Sequence, residues 1–162
     1  MSQILQSASV MRVRQALADA GVAAEIVELP GAARTAKDAA RFLGCEVAQI
    51  ANSLVFRAET SGTPLLVMCS GARRVDLERL ARIAGEPVAK ADAQFVREST
   101  GFAIGGVPPV GHAAPLRTLV DDSLAAHAVL WAAAGHPHTV FRLSYAQLLA
   151  VTRGLAVQAA AS

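Results

Sequence analysis

Apolar residues recur at helical spacing at the start of the chain. Val10, Val13 and Leu17 share one face between Ser9 and Ala20, with Arg12, Arg14 and Asp19 elsewhere. This predicts a helix stopped by Gly21. Val22 to Leu29 alternates loosely around Ile26 and Val27 and predicts a strand ended by Pro30-Gly31. Thr35-Ala36-Lys37-Asp38 has the form of a capping box, with Asp38 in place of the usual Glu, and opens a helix through Phe42 and Leu43 to Gly44. A short helical turn is expected around Val47–Ile50. Ser53 to Arg57 and Leu65 to Cys69 are strands on either side of Thr60-Ser61-Gly62-Thr63-Pro64, a hairpin with a longer loop. Asp76 to Ala84 carries Leu77, Leu80, Ala81 and Ala84 at helical spacing, with Glu78, Arg79 and Arg82 outward and Gly85 as the stop. Pro87 to Ala91 reads as a short strand, and Asp92 caps a helix that reaches Ser99 and stops at Gly101.

The pattern then breaks. Gly101 to Pro115 is too rich in Gly and Pro for a regular element, yet it is apolar. Leu116 to Val120 is a strand, followed by Asp121-Asp122-Ser123. Val129 to Ala134 fits a helix by its alanines and a hairpin strand by its place before Gly135-His136-Pro137. Thr139 to Leu143 is a strand. Ser144-Tyr145-Ala146-Gln147 is a capping box for a last helix through Thr152, and Leu155 to Gln158 adds a further strand. Interleaved helices and strands predict an α/β or α+β domain, and the hairpin-like pairs favour a mixed sheet. No repeat or linker divides the chain, so residues 1–162 read as one domain.

Composition narrows the class. Of 162 residues 53% are hydrophobic, 17% charged and 4% aromatic, with a formal net charge of +2. That is too apolar and too weakly charged for a disordered chain. No uninterrupted apolar run reaches the roughly 18 residues of a membrane-spanning helix. The apolar excess is mostly alanine and valine, which suits close helix–sheet packing. Cys45 and Cys69 have neither disulfide-framework nor metal-ligand spacing and read as reduced, buried thiols. Met1 to Val10 lacks the charged start and apolar run of a signal peptide, which gives the expectation of a cytoplasmic protein. The charge of +2 does not announce a nucleic-acid binder, so any such binding would use a local patch.

The strongest local feature is Gly105-Gly106-Val107-Pro108-Pro109-Val110-Gly111-His112. Paired glycines let backbone approach a ligand and aim N–H groups at one point, while the two prolines stiffen the rest of the loop. Such a loop suits a carbonyl oxygen or a developing oxyanion, and it equally suits a structural turn. It is neither a dinucleotide fingerprint nor a P-loop. His112 could act as a base, an orienting donor or a surface histidine. His127, His136 and His138 are scattered and read as turn histidines. The absence of a Gly-x-Ser-x-Gly elbow argues against a covalent serine hydrolase. Thr35, Asn52, Ser53 and Ser70 are polar residues at the edges of apolar elements. Arg12/Arg14, Arg34, Arg73/Arg74, Arg79/Arg82 and Arg97 would form a phosphate-contacting rim if several converged.

Together these residues resemble the YbaK/EbsC family, the free-standing relatives of the editing domain inserted in bacterial prolyl-tRNA synthetases. The resemblance rests on Thr35 to Ala40 with Gly44, Gln49 to Phe56, Val75-Asp76-Leu77 through Ala91-Asp92 to Thr100-Gly101, and Gly101 to His112. Trp131 to Pro137 and Val140 to Leu143 also fit, so the likeness covers roughly residues 10–158. It implies a curled mixed sheet approaching a barrel, surrounded by helices. It implies hydrolysis of the ester of a mischarged tRNA carrying a small amino acid, of the proline-tRNA type, by a water molecule, with no metal or other cofactor. The implied partner is the acceptor end of a mischarged tRNA, with a synthetase as a candidate second partner and neither membrane nor DNA expected. In this resemblance Gly105, Gly106 and Val107 line the aminoacyl pocket together with Asn52. Thr35, Ser53, Ser70 and Pro108 flank it, and His112 sits at its mouth. Asn52 stands where the family usually carries a lysine; the amide keeps hydrogen bonding and loses the cation. The alternative reading is a non-catalytic module that binds an aminoacyl end, a tRNA end or an amino-acid-like ligand.

Overall fold

The apolar runs Leu54–Phe56 and Leu65–Cys69 fold, in the computed structural model, into the central hairpin around which the other elements are arranged. The structure describes residues 3–161; the reading of Met1 to Val10 rests partly on Met1 and Ser2, which lie outside them. Strand β2 (Ala51–Ala58) and β3 (Pro64–Ser70) pair antiparallel from Ala51↔Ser70 to Arg57↔Pro64. Alternation gives this hairpin two faces. Phe56, Val67 and Cys69 pack with Leu80 and Leu119 in one apolar cluster, and Ala51, Val55, Leu66 and Met68 join the larger core on the other side.

Helix α1 (Ala8–Asp19) buries Val10, Val13 and Leu17 in that larger core, the face its spacing predicts. β1 (Ile26–Glu28) is shorter than the apolar stretch suggested, because it pairs antiparallel only with Thr139 to Phe141 of a later strand. Helix α2 (Ala36–Leu43) starts at Thr35, whose Oγ1 accepts from the Asp38 N–H at 3.1 Å. The capping box is half made: the Asp38 carboxylate accepts from the Arg34 N–H instead of the Thr35 N–H. A single 3-10 turn, Val47–Gln49, leads into β2.

After the hairpin come α3 (Leu77–Ala84), β4 (Val88–Lys90) and α4 (Ala93–Thr100), the two helices capped by Asp76 and Asp92. The irregular segment then leads to β5 (Arg117–Asp121), which lies parallel to β3. A 3-10 turn over Asp122–Ala126 precedes β6 (Leu130–Ala133) and β7 (Thr139–Leu143), an antiparallel hairpin. Pairing with β7 decides the ambiguous alanine-rich stretch in favour of a strand, and Ala132 and Ala134 are buried where it packs. Helix α5 (Tyr145–Thr152) has the full Ser144–Gln147 capping box and returns the chain to β8 (Leu155–Val157), parallel to β5.

The result is a mixed α/β domain with sheets ordered β4-β2-β3-β5-β8 and β1-β7-β6. A parallel bridge, Ile50↔Trp131, ties them at one point. The curl stops there, and the sheets do not close into a barrel. Among the described residues no helix is long and apolar enough to cross a membrane.

The parallel β5–β8 edge depends on Asp121. Its buried carboxylate accepts from the Ala159 and Ala160 N–H groups, both at 2.9 Å, and from the Ser123 N–H and hydroxyl. Removing it strands buried donors, so Asp121→Ala is expected to lose about 3 kcal/mol of stability. Denaturant midpoints measure the loss, and hydrogen exchange should rise at Ala159 and Ala160. Unchanged protection there would mean that the carboxylate does not hold the strand.

Candidate functional site

β3 covers β2 along its whole length on one side. On the other side, β4 covers only Phe56–Ala58. The first half of β2 therefore borders open space, and a cavity of about 600 Å³ lies against it. Its floor consists of buried residues, chiefly Ala51, Val55, Val96, Thr139 and Val140. The Thr139 hydroxyl donates to the His136 carbonyl at 3.0 Å, so the floor is apolar towards a ligand. The rim is different in kind. Arg34, Arg73, Arg74 and Lys90 stand around it, exposed, with Leu77 and Ile104.

Asn52 and Ser53 line this cavity from β2, and Thr35 lines it from the start of α2. The Asn52 side chain has no hydrogen-bond partner among the described residues. The Ser53 hydroxyl touches only the Met68 sulfur, at 3.4 Å, a weak acceptor. Gly71 brings α2 close. A Cβ there would lie 2.5 Å from the Ala36 Cβ and 2.8 Å from the Val47 carbonyl oxygen. Only glycine lets the end of β3 approach the first turn of α2 and so place Thr35 on the rim.

Gly105 and Val107 line the opposite wall, and Gly106 does not. The loop turns at Gly105, φ +93°, and the Gly106 N–H is used internally by the Ala103 carbonyl at 3.1 Å. Gly106 itself is pressed against the β6–β7 turn: a Cβ would lie 2.8 Å from the His136 nitrogen and 2.9 Å from its Cα. The N–H groups of Gly105 and Val107 have no partner among the described residues. The two residues that line the wall, one on each side of the glycine that anchors the loop, thus each keep a main-chain N–H without a partner.

The remaining expected site residues lie elsewhere. Ser70 is buried below the cavity; its hydroxyl donates to the Ala48 carbonyl at 3.0 Å and holds the 3-10 turn. Pro108 is buried in the loop, and its carbonyl meets His112 Nε2 at 2.7 Å. The His112 ring stands edge-on to Phe102, with centroids 6.4 Å apart. It faces a separate, open depression of about 770 Å³ along Pro109–Leu119. Burial lowers the His112 pKa below its ordinary value, partly countered by the Pro108 carbonyl.

The rim cations and the two exposed apolar residues carry no local motif. Arginine pairs occur throughout the chain, and only the fold shows that Arg34, Arg73 and Arg74 converge while Arg12, Arg79 and Arg97 do not. Arg12 lies over Phe102 at 4.6 Å and donates to the Gly101 carbonyl, and Arg79 pairs with Asp76. No carboxylate, imidazole, thiol or phenol is among the residues lining the cavity. Burial raises both thiols, Cys69 to about 11 with Asp121 adding to the shift. Among the described residues no three His, Cys, Asp or Glu side chains gather as a metal site.

The family model of the aminoacyl-tRNA editing domain matches residues 31–151. The chain is 43% identical to a candidate trans-editing enzyme for prolyl tRNA synthetase, whose structure superposes with a TM-score of 0.90 over 96% of this chain and 99% of that one. The hypothetical protein APE2540 is 25% identical, with a TM-score of 0.86 over 93% of this chain and 99% of its own. The uncharacterised protein YwhH of Bacillus subtilis (strain 168) is 27% identical over 124 residues, 76% of this chain and 78% of the relative.

Two measurements test the loop. Gly106→Ala is expected to cost about 2 kcal/mol by overpacking the His136 backbone, read as a fall in thermal midpoint. An unchanged midpoint would mean that the close approach is not a constraint. His112 is depressed in the fold, so its neutral form contributes stability above about pH 6.5, its unfolded value. That contribution is lost as pH falls from there towards the folded value. The thermal midpoint should therefore fall more steeply below pH 6.5 in the parent than in His112→Gln. Parallel slopes would mean that His112 does not titrate with unfolding.

Proposed function

The chain belongs to the aminoacyl-tRNA editing domain family, and from that premise we propose that it acts in trans as a deacylase of a mischarged tRNA. One observation carries the reading. Asn52, with an unpartnered amide, and the free Gly105 and Val107 N–H groups line one cavity whose floor is apolar. The floor receives an uncharged amino-acid side chain. The Gly105 and Val107 N–H groups donate to the ester carbonyl oxygen and hold the charge that grows there. Asn52 orients the aminoacyl or ribose end, with Thr35 and Ser53 at the edge. Water adds to the carbonyl carbon. The bond to the ribose oxygen then breaks, and the proton from water passes to that oxygen. Free amino acid and tRNA leave.

The lining holds no carboxylate or imidazole to act as base. In the proposed reaction, rate therefore comes from position and from fixed N–H dipoles, with the neighbouring ribose hydroxyl available to relay the proton. Proline tRNA carrying a small amino acid is the proposed substrate, and a synthetase is the proposed supplier.

The missing base and the asparagine also favour a second reading, a module that binds the aminoacyl end without turnover. A panel of mischarged tRNAs separates the two. Hydrolysis above buffer is expected for at least one small amino acid on proline tRNA. Asn52→Ala should lower that rate at least tenfold with an unchanged thermal midpoint. Tight binding with no hydrolysis of any pair would establish the binding module. Hydrolysis indifferent to Asn52→Ala would remove the amide from the mechanism.

A further inference from the structure

Residues 101–112 form a loop that is closed at its base. The Ala113 N–H donates to the Thr100 carbonyl at 3.0 Å, which joins the two ends. The Thr100 hydroxyl donates to the Val96 carbonyl at 2.7 Å and accepts from the Phe102 N–H at 3.0 Å, which ties the first end to α4. Inside the base, the buried Phe102 ring meets the His112 ring nearly at right angles. Loops of this kind are held in shape by their own side chains. The returning limb carries Pro108 and Pro109, which supply no main-chain N–H. Pro108 is buried, and among the described residues no main-chain N–H donates to its carbonyl. His112 Nε2, at 2.7 Å, is the partner it has. A ring nitrogen that faces a carbonyl must carry the proton, so Nε2–H donates. Val107 therefore stands between two fixed points. Before it, Gly106 is pressed on the His136 main chain; after it, Pro108 is held by His112.

We propose that His112 is a positioning residue for the reaction, which holds the Val107 N–H in place from behind the cavity wall through the Pro108 carbonyl. This role rests on the deacylase reading. His112 does not line the cavity and touches no substrate there; it faces the separate depression along Pro109–Leu119. A donor to a growing oxyanion acts by being fixed before the charge appears. Letting that donor wander by about 1 Å costs on the order of a hundredfold in rate. Gly106 fixes only one side of Val107, and the prolines stiffen the limb without anchoring it. The histidine supplies the anchor.

Two variants separate its donor from its ring. His112→Phe keeps a ring against Phe102 and removes the donor. His112→Gln loses the ring and keeps an amide N–H near the place of Nε2. With the mischarged tRNA that the parent hydrolyses, His112→Phe is expected to lower kcat at least tenfold and to change KM less than about twofold. His112→Gln should stay within about threefold of the parent. Nitrogen-15 relaxation of the full chain without ligand gives a readout that needs no activity. The order parameter of the Val107 amide should fall from about 0.85 to below about 0.6 in His112→Phe and hold in His112→Gln. If His112→Phe does not fold, His112→Asn, whose shorter amide falls short of Pro108, takes its place in both measurements. Unchanged kcat in the donor-free variant, or an equal loss in His112→Gln, overturns the proposal. So does a raised KM at constant kcat, which would make His112 a binding group. A rigid Val107 in the donor-free variant overturns the proposal and leaves the deacylase reading standing. Loss of order at Val107 in a chain that hydrolyses no mischarged tRNA upholds the hold on the loop and overturns the deacylase reading.

Discussion

Backbone stacked directly on backbone is the constraint that creates the cavity. Gly106 meets the main chain of His136, and Gly135, φ +100°, would bring a Cβ within 2.8 Å of the Ser9 carbonyl oxygen. Three segments distant in sequence, the glycine loop, the β6–β7 turn and the start of α1, are thus closed up without side chains between them. Close packing leaves such a contact little room to slide. The loop is fixed at Gly106, and the residues on either side, Gly105 and Val107, are left with their N–H groups unpartnered on the wall. One glycine serves packing and its neighbours line the cavity. The site reading and the turn reading of this loop therefore apply to different residues.

A second constraint is the short β4. Because it covers only three residues of β2, the sheet opens beside Asn52 and Ser53, and the helices and loops around that gap supply the rest of the wall. The floor comes from buried core residues, which are apolar because they also belong to the core. The rim comes from connections, which can carry charge at little folding cost. Apolar depth and cationic mouth are consequences of this layering. A net charge of +2 is compatible with a local cationic patch, since four cations stand together here and no acid lines the cavity.

Element identity was largely legible in the sequence because local rules decided it. Thr35, Asp92 and Ser144 cap the helices their positions announced, Asp76 caps the helix whose first residue it was expected to be, and glycines stop three of the four. The Val129–Ala134 stretch could not be decided locally, since its partner strand settled it. The site was legible in part. Asn52, Thr35, Ser53, Gly105 and Val107 share the cavity, whereas Ser70, Gly106, Pro108 and His112 do not line it, and His112 faces a separate depression. Sequence cannot separate a polar side chain that points to a ligand from one that closes a neighbouring turn. Arginine convergence is invisible for the same reason, because Arg34 and Arg73 line one cavity only once the end of β3 approaches the first turn of α2 at Gly71.

The asparagine on β2 fits this arrangement physically. A cation at position 52 would add a fifth positive charge to a cavity that already has four and no counter-ion, and it would stand next to the apolar floor, where desolvation is costly. A neutral amide avoids both costs and still offers two donors and an acceptor. The positive charge of the cavity stays instead on the exposed rim side chains, which remain charged and keep most of their hydration. In the proposed reaction the charge that holds the substrate and the dipoles that polarise its carbonyl are therefore separate. The first sit at the rim on exposed side chains, and the second sit on the wall, fixed by Gly106. Binding can vary through the rim without disturbing the geometry at the ester, because no side chain takes part in both.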